Sequence, residues 1–188
     1  DEHMRVMTCY SGRDRKVKMM CLGHVLLEEH TPMGLGNHAL ILTEPNEELY
    51  GQAKKLLEAI HYTGFSNFDI KYDKRDGKYK FLELNVRQGR SNYYVTQAGF
   101  NIAKYLVEDY IYNSDMSFET GQDSYLWTVD PKGVAFKYVI DVDIKRKMKE
   151  LIKLNKAVNP LFMKGDLRPK RYAHLMANHL RPVSYTHL

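Results

Sequence analysis

Two short segments of the chain carry acidic and amide side chains with the spacing of an ion site. Asp69 lies on the first segment, and Glu83 and Asn85 lie on the second. Carboxylate and amide oxygens are hard ligands that suit Mg²⁺, an ion that usually completes its shell with waters and substrate phosphates. Arg87 follows two residues after Asn85, and a guanidinium grips a phosphate or carboxylate with two hydrogen bonds. These residue types predict a magnesium site beside an anionic group.

A β-hairpin would bring these side chains together. Residues 65–92 alternate apolar and polar types on both sides of the turn signal Asp76-Gly77. A two-residue loop would oppose Ile70 to Glu83, an apolar side chain to a charged one. A three-residue loop, with the glycine in the left-handed conformation, opposes Asp69 to Glu83 and matches apolar with apolar residues. In that register the other pairs are Phe68 with Leu84, Ile70 with Leu82, and Lys74 with Lys78.

The expected register places two carboxylates directly opposite each other, with Cβ atoms about 5 Å apart. Like charges in this position are destabilising unless a cation lies between them. The alternative is an exposed hairpin whose solvent face is simply charged. A helix that begins after Asn46 has an apolar face, which we expect to pack on Leu82, Leu84 and Val86. The acidic face of the hairpin would then stay open to a ligand.

The hairpin residues also resemble a known signature. Asp69 followed by Glu83-Leu84-Asn85-Val86-Arg87 resembles the magnesium-binding pattern of ATP-grasp enzymes, which are ATP-dependent carboxylate–amine and carboxylate–thiol ligases. That pattern has an acid on one strand and Glu-x-Asn on the next. The run 81–99 is most similar to the D-aspartate ligase-like branch. The resemblance covers residues 1 to about 113 and is expected to fade beyond them.

The resemblance implies an α+β fold, namely the C-terminal lobe of an ATP-grasp domain with a mainly antiparallel sheet and helices packed on one face. It implies ATP and Mg²⁺, or Mn²⁺, as cofactors. The implied partners are a small carboxylate such as an amino acid and an amine, joined as an amide through an acyl-phosphate. The family's phosphate-binding lysines and adenine hinge would precede Asp1, so we expect a missing N-terminal lobe and an isolated piece with little or no activity.

The resemblance also implies roles for individual residues of this sequence. The metal ligands would be Asp69, Glu83 and Asn85, and the catalytic residues would be Arg87 and Arg90. Arg87 would steady the transferred phosphoryl group. Arg90 with Ser91 would bind a second anion, unless Ser91 or Asn92 simply caps the following helix. Contacts to the nucleotide would come from Leu82, Glu83, Arg5 and one of the two acids Glu28 and Glu29; a solvated Arg5 is the alternative for that residue.

Composition leaves a second class of function open. The 188-residue chain has a formal net charge of +5 and a pI near 9.0, which permits an anionic partner such as nucleotide phosphates or nucleic acid. The basic helix 144–154 suggests a non-enzymatic module that binds nucleic acid or an acidic membrane surface. That alternative leaves the opposed Asp69 and Glu83 unexplained, so we expect no nucleic acid partner.

The remaining expectations concern location and segmentation. No apolar run has the length of a membrane span and no signal peptide is evident, which favours the cytoplasm. Cys9 and Cys21 fall on adjacent predicted strands, where free thiols are expected and a bridge is possible. Residues 114–181 are expected to form an α/β extension, with strands over 125–128 and 134–142. Residues 182–188 resemble a translated library adaptor and are expected to be a non-native tail. In the helix predicted over 102–112, the buried side would carry Ile102, Leu106, Tyr110 and Ile111.

Overall fold

The computed structural model describes residues 3–29, 32, 34–162, 165 and 168–180. The predicted non-native tail, 182–188, lies outside them. The strands are β1 (Met4–Ser11), β2 (Val17–Glu28), β3 (His38–Thr43), β4 (Gly64–Asp73), β5 (Lys78–Asn85), β6 (Glu119–Thr120), β7 (Leu126–Thr128) and β8 (Ala157–Val158). The helices are α1 (Glu47–Ala59), α2 (Tyr93–Gln97), α3 (Ile102–Val107), α4 (Lys132–Tyr138), α5 (Val142–Lys153) and α6 (Pro169–Leu180), with a π-helical turn (Glu108–Tyr112) after α3 and a 3₁₀ turn (Pro160–Phe162) after β8.

All the strands belong to one sheet in the order β5-β4-β1-β2-β3-β7-β8, with β6 paired to β2. The β2–β6 and β7–β8 pairs are parallel, and the other pairs are antiparallel. The expected α+β fold with a mainly antiparallel sheet is therefore confirmed. Strands from residues after 113 extend this same sheet, while the division into a lobe and an extension stays a prediction.

Helices cover both faces of the sheet, so the expectation of helices on one face was wrong. On one face, α1 buries Leu49, Ala53 and Leu57 in a cluster with Phe68 and Ile70 of β4. A neighbouring cluster on β2, β3 and β7 receives α4 and α5. On the opposite face, α2 and α3 bury Tyr94, Val95 and Tyr105 against Val6, Cys21 and Ile41. Strands β1 and β2 are consequently buried on both faces.

Two segments differ from the helix and strand predictions. Residues 134–142, predicted as a strand, instead include most of α4, which follows Pro131 and buries Ala135 and Val139 one turn apart. In the helix predicted over 102–112, the buried residues are Tyr105 and Asp109. Asp109 can be buried because its carboxylate accepts hydrogen bonds from Tyr10 Oη (2.8 Å) and the Arg13 backbone N–H (3.0 Å).

Of the four helix residues expected to be buried, Ile102 packs partly buried against the core, and the other three are exposed. Leu106, Tyr110 and Ile111 are 37%, 50% and 68% exposed. The two cysteines are buried free thiols, as expected, and point to opposite faces of the sheet. Burial raises the pKa of both thiols, that of Cys21 to about 12.

The Tyr50 hydroxyl joins α1 to the sheet through hydrogen bonds. This buried side chain accepts a hydrogen bond from the Leu22 backbone N–H (3.2 Å) and donates one to the Gly121 carbonyl (3.0 Å). Tyr50→Phe leaves both backbone groups unpaired, so we expect the free energy of unfolding to fall by about 1–2 kcal/mol. Urea unfolding measures the loss. The control is Tyr112→Phe at an exposed ring, and an equal effect in both variants would contradict the role of the Tyr50 hydroxyl.

Candidate active site

The hairpin register at the acidic pair is confirmed. Asp69 on β4 lies opposite Glu83 on β5, with Phe68 opposite Leu84 on one side of the pair. Nearer the turn the register shifts by one residue, since Ile70 pairs with Phe81 and Asp73 with Lys78. The predicted pairs of Ile70 with Leu82 and Lys74 with Lys78 were therefore wrong. The turn spans residues 74–77, and Gly77 has the expected left-handed conformation, with φ of 68°.

A β-bulge at Leu82 explains the shift. Asp69 and Ile70 are adjacent on β4, but their partners on β5 are Glu83 and Phe81, so Leu82 between them has no partner in the ladder. Leu82 is 58% exposed and Val86 is 68% exposed, so of the three residues expected to pack on α1 only Leu84 joins its cluster. The bulge returns the chain to the register in which Glu83 faces Asp69.

The acidic pair is electrostatically strained in the absence of a cation. The pKa of the half-buried Asp69 carboxyl is raised to about 6, mostly by burial and then by the charge of Glu83 and a hydrogen bond between the two carboxyls. Glu28, at the end of β2, adds a smaller effect of the same sign. Arg87 acts in the opposite direction, so its guanidinium lies within electrostatic reach of Asp69. The structure thus groups Asp69, Glu83, Arg87 and Glu28.

Asn85 shares this group through its amide. Its Nδ2 donates to Asp69 Oδ2 at 3.5 Å. Rotation of the amide would present Oδ1 to an ion instead, because the two ends of an amide exchange places by a half-turn. Within the described part of the chain, His, Cys, Asp and Glu side chains form no group of three or more arranged to hold a metal ion. A Mg²⁺ or Mn²⁺ ion at Asp69, Glu83 and Asn85 would therefore need waters or phosphate oxygens to complete its shell.

The segment after β5 is fastened by buried polar side chains that the sequence analysis did not identify. Asn67 Nδ2 donates to the Arg87 carbonyl oxygen. Asn67 Oδ1 accepts from Thr8 Oγ1 (2.7 Å), which also contacts Asn92 Oδ1 (3.2 Å) and Tyr94 Oη (2.9 Å). These four side chains are buried. Thr8 shows a signal in the sequence, because it is a polar residue of β1 between Val6 and Tyr10 on the same face of the strand.

Ser91 is tied to β3 rather than to a helix cap. Its Oγ lies 3.2 Å from Nδ1 of His38, whose backbone partner is Glu28. Burial lowers the pKa of His38, and Glu28 partly offsets that effect. Asn92 is the N-cap residue of α2 and makes no side-chain capping hydrogen bond. Arg90, one residue before Ser91, is exposed.

Two residues expected to contact the nucleotide, Arg5 and Glu29, are not grouped with the acidic pair. Arg5 alternates with Val6, which pairs with Asp69, so Arg5 points to the opposite face of the sheet. There its guanidinium contacts Glu44 Oε1 (3.3 Å), which also accepts from His24 Nδ1 (3.1 Å). The structure therefore does not bring Arg5 to the acidic pair. Burial and then the charge of Glu29 raise the pKa of Asp130, so Glu29 lies near that residue. Of the two acids, Glu28 is the one that affects the pKa of Asp69.

The raised pKa of Asp69 predicts a pH-dependent penalty in the free chain. The pKa of Asp69 is about 6 in the folded chain and 3.8 in the ordinary state, so the folded chain loses stability as the pH rises from about 3.8 to about 6. The penalty is fully present above that window and absent below it. We expect Asp69→Asn to be more stable than the wild type by about 1 kcal/mol at neutral pH, after allowing for solvent screening, and equal to it near pH 4.

Urea unfolding from about pH 4 to 8 without divalent ions measures this difference, which follows from linkage. Asp115→Asn, at an exposed carboxylate, is the matched control and should show no such trend. A wild type as stable as Asp69→Asn at pH 7.5 would show that the acidic pair carries no strain.

Comparison with known proteins agrees with the hairpin resemblance. A curated D-aspartate ligase of Enterococcus faecium (strain Aus0004) is 41% identical over 177 residues, which are 92% of this chain and 42% of that protein. The chain thus spans less than half the length of this relative. The match must extend past residue 113, so the expectation that the similarity fades there was wrong. No protein-family model matches the chain.

Solved structures identify the fold. The biotin carboxylase domain of the 2-oxoglutarate carboxylase of Hydrogenobacter thermophilus, solved with MgADP, ADP and bicarbonate, matches 71% of this chain and 31% of its own, with a TM-score of 0.53 at 10% identity. The biotin carboxylase domain of a single-chain bacterial carboxylase matches 67% of this chain and 32% of its own, with a TM-score of 0.50 at 10% identity. The chain is thus similar in sequence to a D-aspartate ligase and in fold to biotin carboxylase domains, which agrees with the resemblance of its hairpin to the ATP-grasp signature.

Proposed function

We propose that this chain is the C-terminal part of an ATP-dependent ligase that joins a carboxylate to an amine. The observation that carries the proposal is the pairing of Asp69 with Glu83, beside Asn85 and within electrostatic reach of Arg87. Two carboxylates and an amide suit Mg²⁺ or Mn²⁺, and the guanidinium suits a phosphate. Because the similar Enterococcus protein is a D-aspartate ligase, D-aspartate is the first acid to test.

The proposed roles follow from the charges at the site. Asp69 and Glu83 would hold the ion with Asn85, and Arg87 would bind the transferred phosphoryl group. Bound there, Mg²⁺ would neutralise charge on the phosphates of ATP during transfer. Leu82 and Glu83 lie on the exposed bulge where they could border the nucleotide, and Glu28 would limit the site from the β2 side.

The proposed reaction has two steps. A carboxylate oxygen of the acid attacks the γ-phosphorus of ATP, and ADP leaves, which gives an acyl-phosphate. The amine nitrogen then attacks the acyl carbon, phosphate leaves, and the nitrogen loses a proton to give the amide. Arg90 is exposed beside the anchored Ser91, a position from which it could bind the carboxylate or acyl-phosphate of the substrate.

The basic binding module is not favoured. Part of the positive charge of α5 is offset locally, since Arg146 pairs with Asp143 (2.8 Å). The similarity to a ligase covers most of the chain. Among the described residues, no helix combines the length and apolar character needed to cross a membrane. The cytoplasmic location stays a prediction.

Magnesium should stabilise the chain through Asp69. With a dissociation constant of about 1 mM, about 10 mM Mg²⁺ would add roughly 1.4 kcal/mol and raise the melting temperature by a few degrees at pH 7.5. The shift should shrink at pH 5, where Asp69, with a pKa of about 6, is mostly protonated and competes with the ion. Asp69→Asn should lose most of the shift, and Asp115→Asn should keep it. Thermal melts with equal shifts in wild type and Asp69→Asn would mean that the ion binds elsewhere.

Arg87 should act through its fork geometry. In a chimera where this chain replaces the matching segment of the Enterococcus relative, we expect ATP, Mg²⁺ and D-aspartate with hydroxylamine to yield the aspartyl hydroxamate that traps an acyl-phosphate. Arg87→Lys keeps the charge but cannot form two fixed bonds to an oxyanion, so the rate should fall by about tenfold or more. Lys55→Arg, remote on α1, is the control. Unchanged hydroxamate formation in Arg87→Lys would remove Arg87 from the mechanism.

A further inference from the structure

The segment 86–92 carries both candidate catalytic arginines, yet no strand or helix fixes its path. β5 ends at Asn85 and α2 begins at Tyr93. Arg87 and Arg90 are themselves exposed, so their own side chains do not anchor the backbone in the core. The orientation of the guanidiniums must come from contacts made by other residues of the segment and its neighbours.

Asn67 supplies the contact at Arg87. It lies on β4 two residues before Asp69, on the same face of the strand, and its backbone partner is Asn85. Its side chain is 3% exposed. One amide therefore joins the strand of the acidic pair to the backbone of the arginine, since Nδ2 donates to the Arg87 carbonyl while Oδ1 accepts from Thr8.

Gly89 shows how closely the segment passes over this amide. A Cβ atom at Gly89 would lie 2.7 Å from Asn92 Oδ1 and 3.1 Å from Asn67 Oδ1. Both oxygens belong to buried side chains, so neither can move aside without breaking the network with Thr8. A methyl group at this position would therefore push the segment away from β4 without changing any charge or polar group.

We propose that Asn67 is a positioning residue, which sets Arg87 at a fixed distance from the Asp69–Glu83 pair so that an ion and a phosphate are bound together. The inference rests on the proposed function. It requires that loss of the Asn67 contact weaken the binding of a phosphate chain but leave the binding of the ion alone unchanged. A residue that only stabilised the fold would affect both, or neither.

The test uses the full chain with MgCl₂ alone and with inorganic tripolyphosphate plus Mg²⁺, each followed by ¹H–¹⁵N NMR titration. Gly89→Ala and Asn67→Ser should each weaken tripolyphosphate binding by about tenfold and leave the Mg²⁺ dissociation constant within about twofold of the wild type. Gly51→Ala is the matched control, because a Cβ at this helical glycine meets no atom within 4 Å. If Gly89→Ala fails to fold, Asn67→Ser carries the test.

A double-mutant cycle with Arg87→Ala decides whether Asn67 acts through that arginine. In the Arg87→Ala background, Gly89→Ala or Asn67→Ser should cause no further loss of tripolyphosphate affinity. A full additional loss would overturn the positioning role. Tripolyphosphate binding that depends on Asp69 and Arg87 but not on Gly89 or Asn67 would overturn this inference and leave the proposed function standing. No magnesium-dependent tripolyphosphate binding by the wild type would overturn both.

Discussion

The opposition of two carboxylates across β4 and β5 is the constraint on which the rest of the site depends. Asp69 and Glu83 face each other, and the pKa of Asp69 is raised first by its burial and then by the charge of Glu83. Packing on the other face of the hairpin sustains the contact, since Phe68 is buried against α1 and its partner Leu84 packs beside it. A slip of one residue would expose these apolar side chains. Favourable burial thus maintains an unfavourable electrostatic contact that a cation would relieve.

The sequence was sufficient to predict this pairing and the strands around it. The start of α1 agrees with its prediction, since Asn46 caps the helix through a hydrogen bond from the Leu49 N–H to its side chain (3.0 Å). These features depend on alternation, caps and turn residues, which are local properties. The register at Asp69 depends on a longer comparison, yet it could be chosen because only one loop length matched apolar with apolar residues.

The features that the sequence could not predict depend on partners distant along the chain or on local irregularity. The bulge at Leu82 leaves no mark in the alternation of apolar and polar residues along β5, yet it decides which side chains are exposed. Asp109 is buried because its carboxylate accepts hydrogen bonds from Tyr10 and Arg13, which are distant from it in the sequence. Residues 134–138 combine a β-branched residue, two aromatic residues, an alanine and a lysine, a mixture that short windows cannot assign to helix or strand. The hydrogen bond of the Asn67 amide to Arg87 depends on the path of residues 86–92, which local sequence does not specify.

Localisation of an ion on the chain tests the central claim most directly. Crystals of the chain grown with Mn²⁺ and tripolyphosphate, measured at the manganese absorption edge, would give an anomalous peak for each bound ion. The account predicts a peak between the Asp69 and Glu83 side chains, at roughly 2.1 Å from an oxygen of each carboxylate, with a phosphate oxygen completing the shell near Arg87. Manganese peaks that lie elsewhere, with none between the Asp69 and Glu83 carboxylates, would contradict it.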